Sequence, residues 1–114
     1  HGGVYRDGPH AGPAIVRDKE FWQNAEALVG YLDAFEITGD LRYLEAFELV
    51  WSFARRAMIN HTLGEWVTLV SESGEPIVPA IGNPWKACYH SGRAVWESIR
   101  RIDMLLAGRF GVLG

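Results

Sequence analysis

Trp22, Ala25, Leu28, Val29, Leu32 and Phe35 are apolar positions three or four apart, the repeat of one buried helix face. Asp18 stands ahead of them as a cap for the free amides of the first turn, and Gly39 closes the segment. Asp40 then opens a second stripe, made of Leu41, Leu44, Phe47, Trp51, Ala54 and Met58. Only Thr38, Gly39 and Asp40 separate the two stripes, so the pattern predicts an antiparallel helical hairpin. After Asn60 the period changes. Residues 65–70 are β-rich, 71–74 read as a turn, and 75–78 can return as the second arm of a short hairpin or ordered loop. A third helix is predicted over residues 89–107, with Val95, Ile99, Ile102 and Leu106 as its apolar stripe and Gly108 past its end. Residues 1–18, dense in Gly and Pro, read as a loop holding at most one small hairpin, joined through Arg6-Asp7-Gly8-Pro9.

Three such helices can bury one face among themselves, yet their other faces are not fully polar. Phe21, Tyr31, Phe53, Trp96 and Met104 lie outside the main stripes, and a helix apolar on two sides is normally packed between neighbours. The expected fold class is all-α, as a slice of a larger helical array with a small β-hairpin or loop insertion. Composition supports a folded unit, since 114 residues suffice for one domain and 48% of them are hydrophobic.

Charge narrows the function classes. Eleven basic against 14 acidic residues leave a formal charge of −3, and no basic stripe points to nucleic acid or a membrane surface. No apolar run reaches the length of a membrane span and no signal peptide opens the chain, so a cytoplasmic location is the default expectation. The single cysteine, Cys88, excludes an internal disulfide framework and is read as a small buried residue. The chain opens on His1 rather than methionine and carries five tryptophans, which suggests a piece of something larger, or rings that face sugar or protein.

Candidate chemistry gathers where the Pro-rich loop meets the third helix. His90, Arg93, Ala94 and Glu97 are spaced by three, four and seven, and so share the face opposite the apolar stripe. An imidazole, a guanidinium and a carboxylate are thus presented together at the positive end of a helix, where a neutral imidazole that can accept a proton is the expected form.

Four blocks then carry a resemblance. They are Lys19-Glu20-Phe21-Trp22-Gln23-Asn24-Ala25-Glu26-Ala27-Leu28; Thr38-Gly39-Asp40 with Tyr43-Leu44; Gly64-Glu65-Trp66; and Trp85-Lys86-Ala87-Cys88-Tyr89-His90-Ser91-Gly92-Arg93-Ala94. In order and spacing they resemble the C-terminal part of the N-acylglucosamine 2-epimerase family, which includes cellobiose 2-epimerases and related aldose–ketose isomerases. The resemblance covers residues 1–108. It implies an (α/α)6 barrel around a central sugar pocket, with residues 1–114 as a single partial domain forming its C-terminal third. It further implies cofactor-independent abstraction of the proton at C2 of a ring-opened reducing sugar, through an enediolate. Two histidines usually serve as acid and base, and His90 matches the C-terminal one. The other belongs to a Gly-His-x-x-Glu-type stretch absent from this sequence, so the 114 residues alone are expected to lack half of the proton-transfer machinery. Where the family often has two tryptophans and a glutamine, this chain has Phe21-Trp22 and Asn24. A ring at position 21 keeps a stacking surface, while the shorter amide bears on hydroxyl contacts or on packing.

The chemistry explains these residue types. A proton beside a carbonyl needs a base that works near neutrality, and an enediolate needs donors or positive charge. Sugars present C–H faces to rings and hydroxyls to carboxylates and amides. The candidates are therefore His90 as acid/base and Trp22, Phe21, Arg93, Glu26 and Trp85 as substrate-binding residues. Each has a plainer reading. His90 can be a capping or packing histidine, Arg93 an ion-pair partner of Glu97 or of another helix, and Trp22 a member of its apolar stripe. Glu26 is read first as a lock on a neighbouring helix and second as a hydroxyl ligand, and Trp85 as an anchor of its loop. Lys86 and Tyr89 are at most supporting neighbours, and Glu65-Trp66 belongs to a structural loop with Trp66 packed. His1, His10 and His61 are not spaced as zinc ligands, and no glycine loop has a phosphate-binding context. Two other readings stay open. One is a glycoside hydrolase on the same architecture, which needs paired carboxylates. The other is a non-catalytic module that binds sugar or self-associates through its open apolar faces, Phe21 and Trp96 among them.

Overall fold

A computed structural model describes residues 1–108. Its long elements are α1 (Phe21–Thr38), α2 (Leu41–Phe53) and α3 (Cys88–Leu106), and short strands fill the connections. About half of the described residues are helical, so the expected all-α class holds only in part, with five short strands and more strand pairing than a single hairpin.

α1 and α2 form the predicted helical hairpin. Gly39 ends α1 in the left-handed conformation, at φ 69°, and its amide donates to the Phe35 carbonyl at 2.7 Å. Asp40 caps α2 as expected, its Oδ1 accepting the Arg42 amide at 3.0 Å. The start of α1 differs from expectation. Asp18 does not cap it, because Lys19 and Glu20 are drawn into a strand, β1 (Lys19–Glu20), that pairs with β4 (Leu69–Val70). The Phe21 amide, free at the first turn, donates to the Thr68 carbonyl at 3.1 Å. The sheet therefore does the work of a capping side chain.

The single hairpin predicted over residues 65–78 is also divided. β3 (Glu65–Trp66) turns back onto β2 (Ile59–Asn60), with Ile59 opposite Trp66 and Asn60 opposite Glu65. β4 pairs with β5 (Pro76–Val78) and with β1, giving a three-stranded sheet in the order β1-β4-β5. The break falls at Val67 and Thr68, whose amides reach out of line to the carbonyls of Met58 and Ala80. No strand forms within residues 1–18, against the small hairpin allowed for there. Instead Arg6 bonds to Asp18, and Val4 is held at both its amide and its carbonyl by the Asn24 side chain.

The core lies between α1, α2 and these strands. Phe21, Leu28, Leu32, Phe47, Val50, Phe53, Met58, Trp66 and Val70 are all buried in it. Full burial of a side chain of this size contributes about 1.5–3 kcal/mol. α2 gives way at its end to a π-helical turn, Ala54–Met58, which keeps Ala54 and Met58 inside. Phe53 packs under residues 2–3, and a Cβ on Gly3, itself at φ 75°, would stand 2.9 Å from the Phe53 ring. Lys19 is buried beside it, with Nζ donating to the carbonyls of Gly2 at 2.5 Å and Glu72 at 2.6 Å. Burial holds this ammonium below its ordinary range, and the Glu72 charge opposes that shift.

α3 is rotated by part of a turn from its predicted orientation, so that among the described residues only Ile102 of its apolar stripe packs against the core. Ser91, Ala94 and Ser98 are its buried residues, while Val95, Ile99 and Leu106 of the apolar stripe are exposed. Small side chains let α3 lie close against α1, and charges finish the contact. Arg101 reaches Asp33 at 2.5 Å and Glu36 at 2.7 Å on α1. Glu97 pairs within its own helix, with Arg100 at 2.8 Å and Arg101 at 3.3 Å, and not with Arg93. Val95, Trp96 and Ile99 consequently form an open apolar face, on which Trp96 is 70% exposed. Phe21 and Phe53, expected outside the stripes, are inside the core. Cys88, expected to be buried, is exposed on the first turn of α3. No helix of the described residues is long and apolar enough to cross a membrane.

Candidate active site

Asn83 makes the turn that delivers α3. Its Oδ1 accepts the Trp85 amide at 2.9 Å and its carbonyl accepts the Lys86 amide at 3.1 Å. α3 begins two residues later, which places His90 in its first turn, as the sequence predicts.

What the sequence left open is the partner. His90 Nδ1 lies 2.9 Å from Oε1 of Glu26, on the facing surface of α1. The other carboxylate oxygen, Oε2, accepts from Nη2 of Arg93, one turn further along α3. Glu26 is therefore a bridge to α3, as its plainer reading held, and Arg93 takes its ion pair from another helix. The three side chains are each about one-third exposed. Because an ionised carboxylate only accepts, it selects the tautomer with the proton on Nδ1 and leaves Nε2 as the acceptor.

Aromatic rings surround this imidazole. Tyr89 meets it edge-on at 5.1 Å between centroids, Phe21 at 6.1 Å, and Trp22 is tilted beside it at 5.8 Å. Trp22 leaves the predicted stripe and is 41% exposed, whereas Phe21 is 5% exposed and forms the base of the site. Together with Glu20, Thr68, Asn83 and Trp85, the residues Phe21, Trp22 and His90 line a cleft of about 610 Å³. Trp85 is 94% exposed, so it anchors nothing among the described residues. Asn24, the shorter amide, is fully buried and spends its side chain on the backbones of Val4 and Glu20. It serves packing rather than the cleft.

The chain matches the family model described as N-acylglucosamine 2-epimerase (GlcNAc 2-epimerase) over residues 1–94. The chain belongs to the N-acylglucosamine 2-epimerase family. It is 34% identical over 90 residues to the cellobiose 2-epimerase of Ruminococcus albus, covering 76% of this chain and 23% of that protein. The structure of cellobiose 2-epimerase from Spirochaeta thermophila superposes with a TM-score of 0.75 at 37% identity, over 82% of this chain and 24% of the other. A crystal structure of D-mannose isomerase superposes with a TM-score of 0.79 at 26% identity, over 86% and 25%. The chain thus spans about a quarter of the length of the relatives it matches.

Several residues of this family member's cleft carry no signal in the sequence pattern. Glu20 Oε2 accepts the indole Nε1–H of Trp22 at 3.2 Å and so steadies the ring beside His90. The Thr68 hydroxyl donates to the Ala80 carbonyl at 2.6 Å and accepts from Asn83 at 3.3 Å, tying the cleft wall to the turn. Glu20 is adjacent to Phe21-Trp22 in the chain, but nothing in the pattern signals that β1 would aim it there. Lys86, read as a supporting neighbour, ties the loop down, its Nζ donating to the carbonyls of Trp66 and Ile81.

Proposed function

We propose that this chain supplies one proton-transfer histidine and part of the sugar pocket of a carbohydrate 2-epimerase or aldose–ketose isomerase. The single observation that carries the reading is the Glu26–His90 contact at 2.9 Å beside a cleft walled by Trp22. With Nδ1–H held by the carboxylate, Nε2 is the basic atom, and it would remove the C2 proton of a ring-opened sugar. The C–H electron pair becomes the C1–C2 double bond as the C1=O π pair moves onto O1, giving an enediolate. A proton returned to the opposite face of C2, with O1 restored as the carbonyl, gives the epimer. A proton returned to C1, with the O2 proton passed to O1, gives the ketose. Arg93, bound to Oε2, keeps Glu26 in place. Trp22 and Trp85 offer apolar faces for sugar C–H surfaces.

The rest of the reading follows the family. The hairpin α1–α2 and the helix α3 are proposed as the C-terminal part of an (α/α)6 barrel, whose further helices would cover Val95, Trp96 and Ile99. A second acid/base, of the kind carried by a Gly-His-x-x-Glu stretch, would serve the opposite face of C2. A hydrolytic role is disfavoured because Glu26 is engaged by both His90 and Arg93 and is not free to protonate a leaving group.

The test is exchange of the C2 proton with deuterated water, followed by NMR on the protein at its full natural length. Cellobiose, mannose and N-acetylglucosamine are the sugars to offer. His90→Ala is expected to lower exchange by about 10²–10⁴-fold, the range for a positioned acid/base, with the fold intact. Exchange that survives the substitution would remove His90 from the reaction.

A further inference from the structure

Lys86 is a charged group that the proposed reaction does not use, and its side chain is only 1% exposed. Burying an ammonium is costly unless every proton finds an acceptor. Here Nζ donates to the Trp66 carbonyl at 2.6 Å and to the Ile81 carbonyl at 2.8 Å, and forms an ion pair with Glu65 Oε1 at 3.2 Å. Those acceptors belong to two separate segments, the strand β3 and the loop before α3. Glu65 is itself fixed, since Oε1 also accepts the Trp66 amide at 2.7 Å.

The same ammonium lies 4.8 Å from the centre of the Phe21 ring. Phe21 in turn meets the His90 imidazole edge-on at 6.1 Å. Lys86 is four residues before His90, and the turn closed by its own amide is the one that launches α3. A single buried charge therefore joins β3, the preceding loop, the base of the cleft and the start of the catalytic helix.

We propose that buried Lys86, paired with the half-buried Glu65, is the positioning device for His90, holding the first turn of α3 so that the imidazole meets Glu26. The proposal rests on the proton-transfer reading of His90 for its kinetic consequence, but not for its structural one. A group that must stand within a fraction of an ångström of its partner gains from a rigid support of this kind. Lys86 touches no reacting atom in this scheme. It acts through the backbone and through Phe21.

The experiment uses the protein at its full natural length and three variants: Lys86→Met, which keeps the stem and removes the charge, Lys86→Arg, and Glu65→Gln. The first readout is the ¹H–¹⁵N spectrum of the histidine rings, in which an Nδ1–H bonded to a carboxylate is identified by tautomer-specific shifts. The second is kcat and KM for C2 exchange. Lys86→Met is expected to disturb the His90 ring signals and to lower kcat by about tenfold, with KM within about twofold, as misplacement of a base would. Lys86→Arg is expected to restore part of both. Glu65→Gln leaves Lys86 and two of its acceptors, and is expected to shift the same ring signals to a smaller extent. Native His90 signals in a folded Lys86→Met protein would overturn the proposal. If Lys86→Met does not fold, native signals in Glu65→Gln would overturn it equally. If the unaltered protein shows no exchange, the proton-transfer reading falls, while the ring spectra still decide whether Lys86 positions His90.

Discussion

Glu26 and His90 are 64 positions apart in the chain and 2.9 Å apart in space, Oε1 to Nδ1. The contact gives α1 and α3 a common task. On the proposed reading, it gives a histidine at a helix end a preferred tautomer, with Nε2 turned to the proton transfer.

Replacing Glu26 by Gln removes the charge and lets a neutral amide face Nδ1. C2 exchange is expected to fall by on the order of 10²-fold, through kcat more than KM, because the imidazole loses its fixed tautomer. Single-turnover exchange measured beside KM checks the split. An unchanged kcat would mean that Glu26 only joins the two helices.

Trp22→Ala probes the cleft wall. The ring is exposed enough that thermal stability should change little, while KM for the sugar is expected to rise by about 2- to 10-fold, the worth of one ring contact. Glu20→Gln should reproduce part of this by loosening the indole. Calorimetric titration of the sugar reports both.

The pH dependence follows from Glu65. Burial pushes its carboxyl up, but the Trp66 amide and Lys86 hold it below the usual carboxylate range. A group depressed in the folded state binds fewer protons than in the unfolded chain, so its stabilising effect is complete above the unfolded value of about 4.3. That effect is lost as pH falls through the folded value. Thermal unfolding followed from pH 6 to pH 2 should therefore show a drop below about pH 4 that is smaller in Glu65→Gln. Equal drops in both proteins would assign the acid sensitivity elsewhere.

Phe53→Ala tests the core. Phe53 is fully buried under residues 2–3 and beside Lys19, whose ammonium lies 3.9 Å from its ring centre. The loss is expected to be about 3–5 kcal/mol, measured by urea unfolding, with residues 1–5 released first in hydrogen exchange.

Local physics made much of this protein legible from its residues. The repeats of α1 and α2, the Asp40 cap, the left-handed Gly39 and the loop-to-helix junction at His90 all depend on contacts within a few positions, which the pattern of side chains encodes directly. The family was legible too, because its blocks are short and ordered along the chain. Tertiary structure alone decided the rest. It drew Lys19 and Glu20 into a strand in place of an Asp18 cap, split one hairpin into two pairings, and buried Phe21 while exposing Trp22 and Trp85. It also rotated α3 so that small residues and charges, with Ile102 of its apolar stripe, meet the core and α1. A periodic pattern states that a helix has two faces. Which face is covered depends on complementary size and charge on a helix about sixty residues away, as Glu26 and Asp33 show for His90, Arg93 and Arg101.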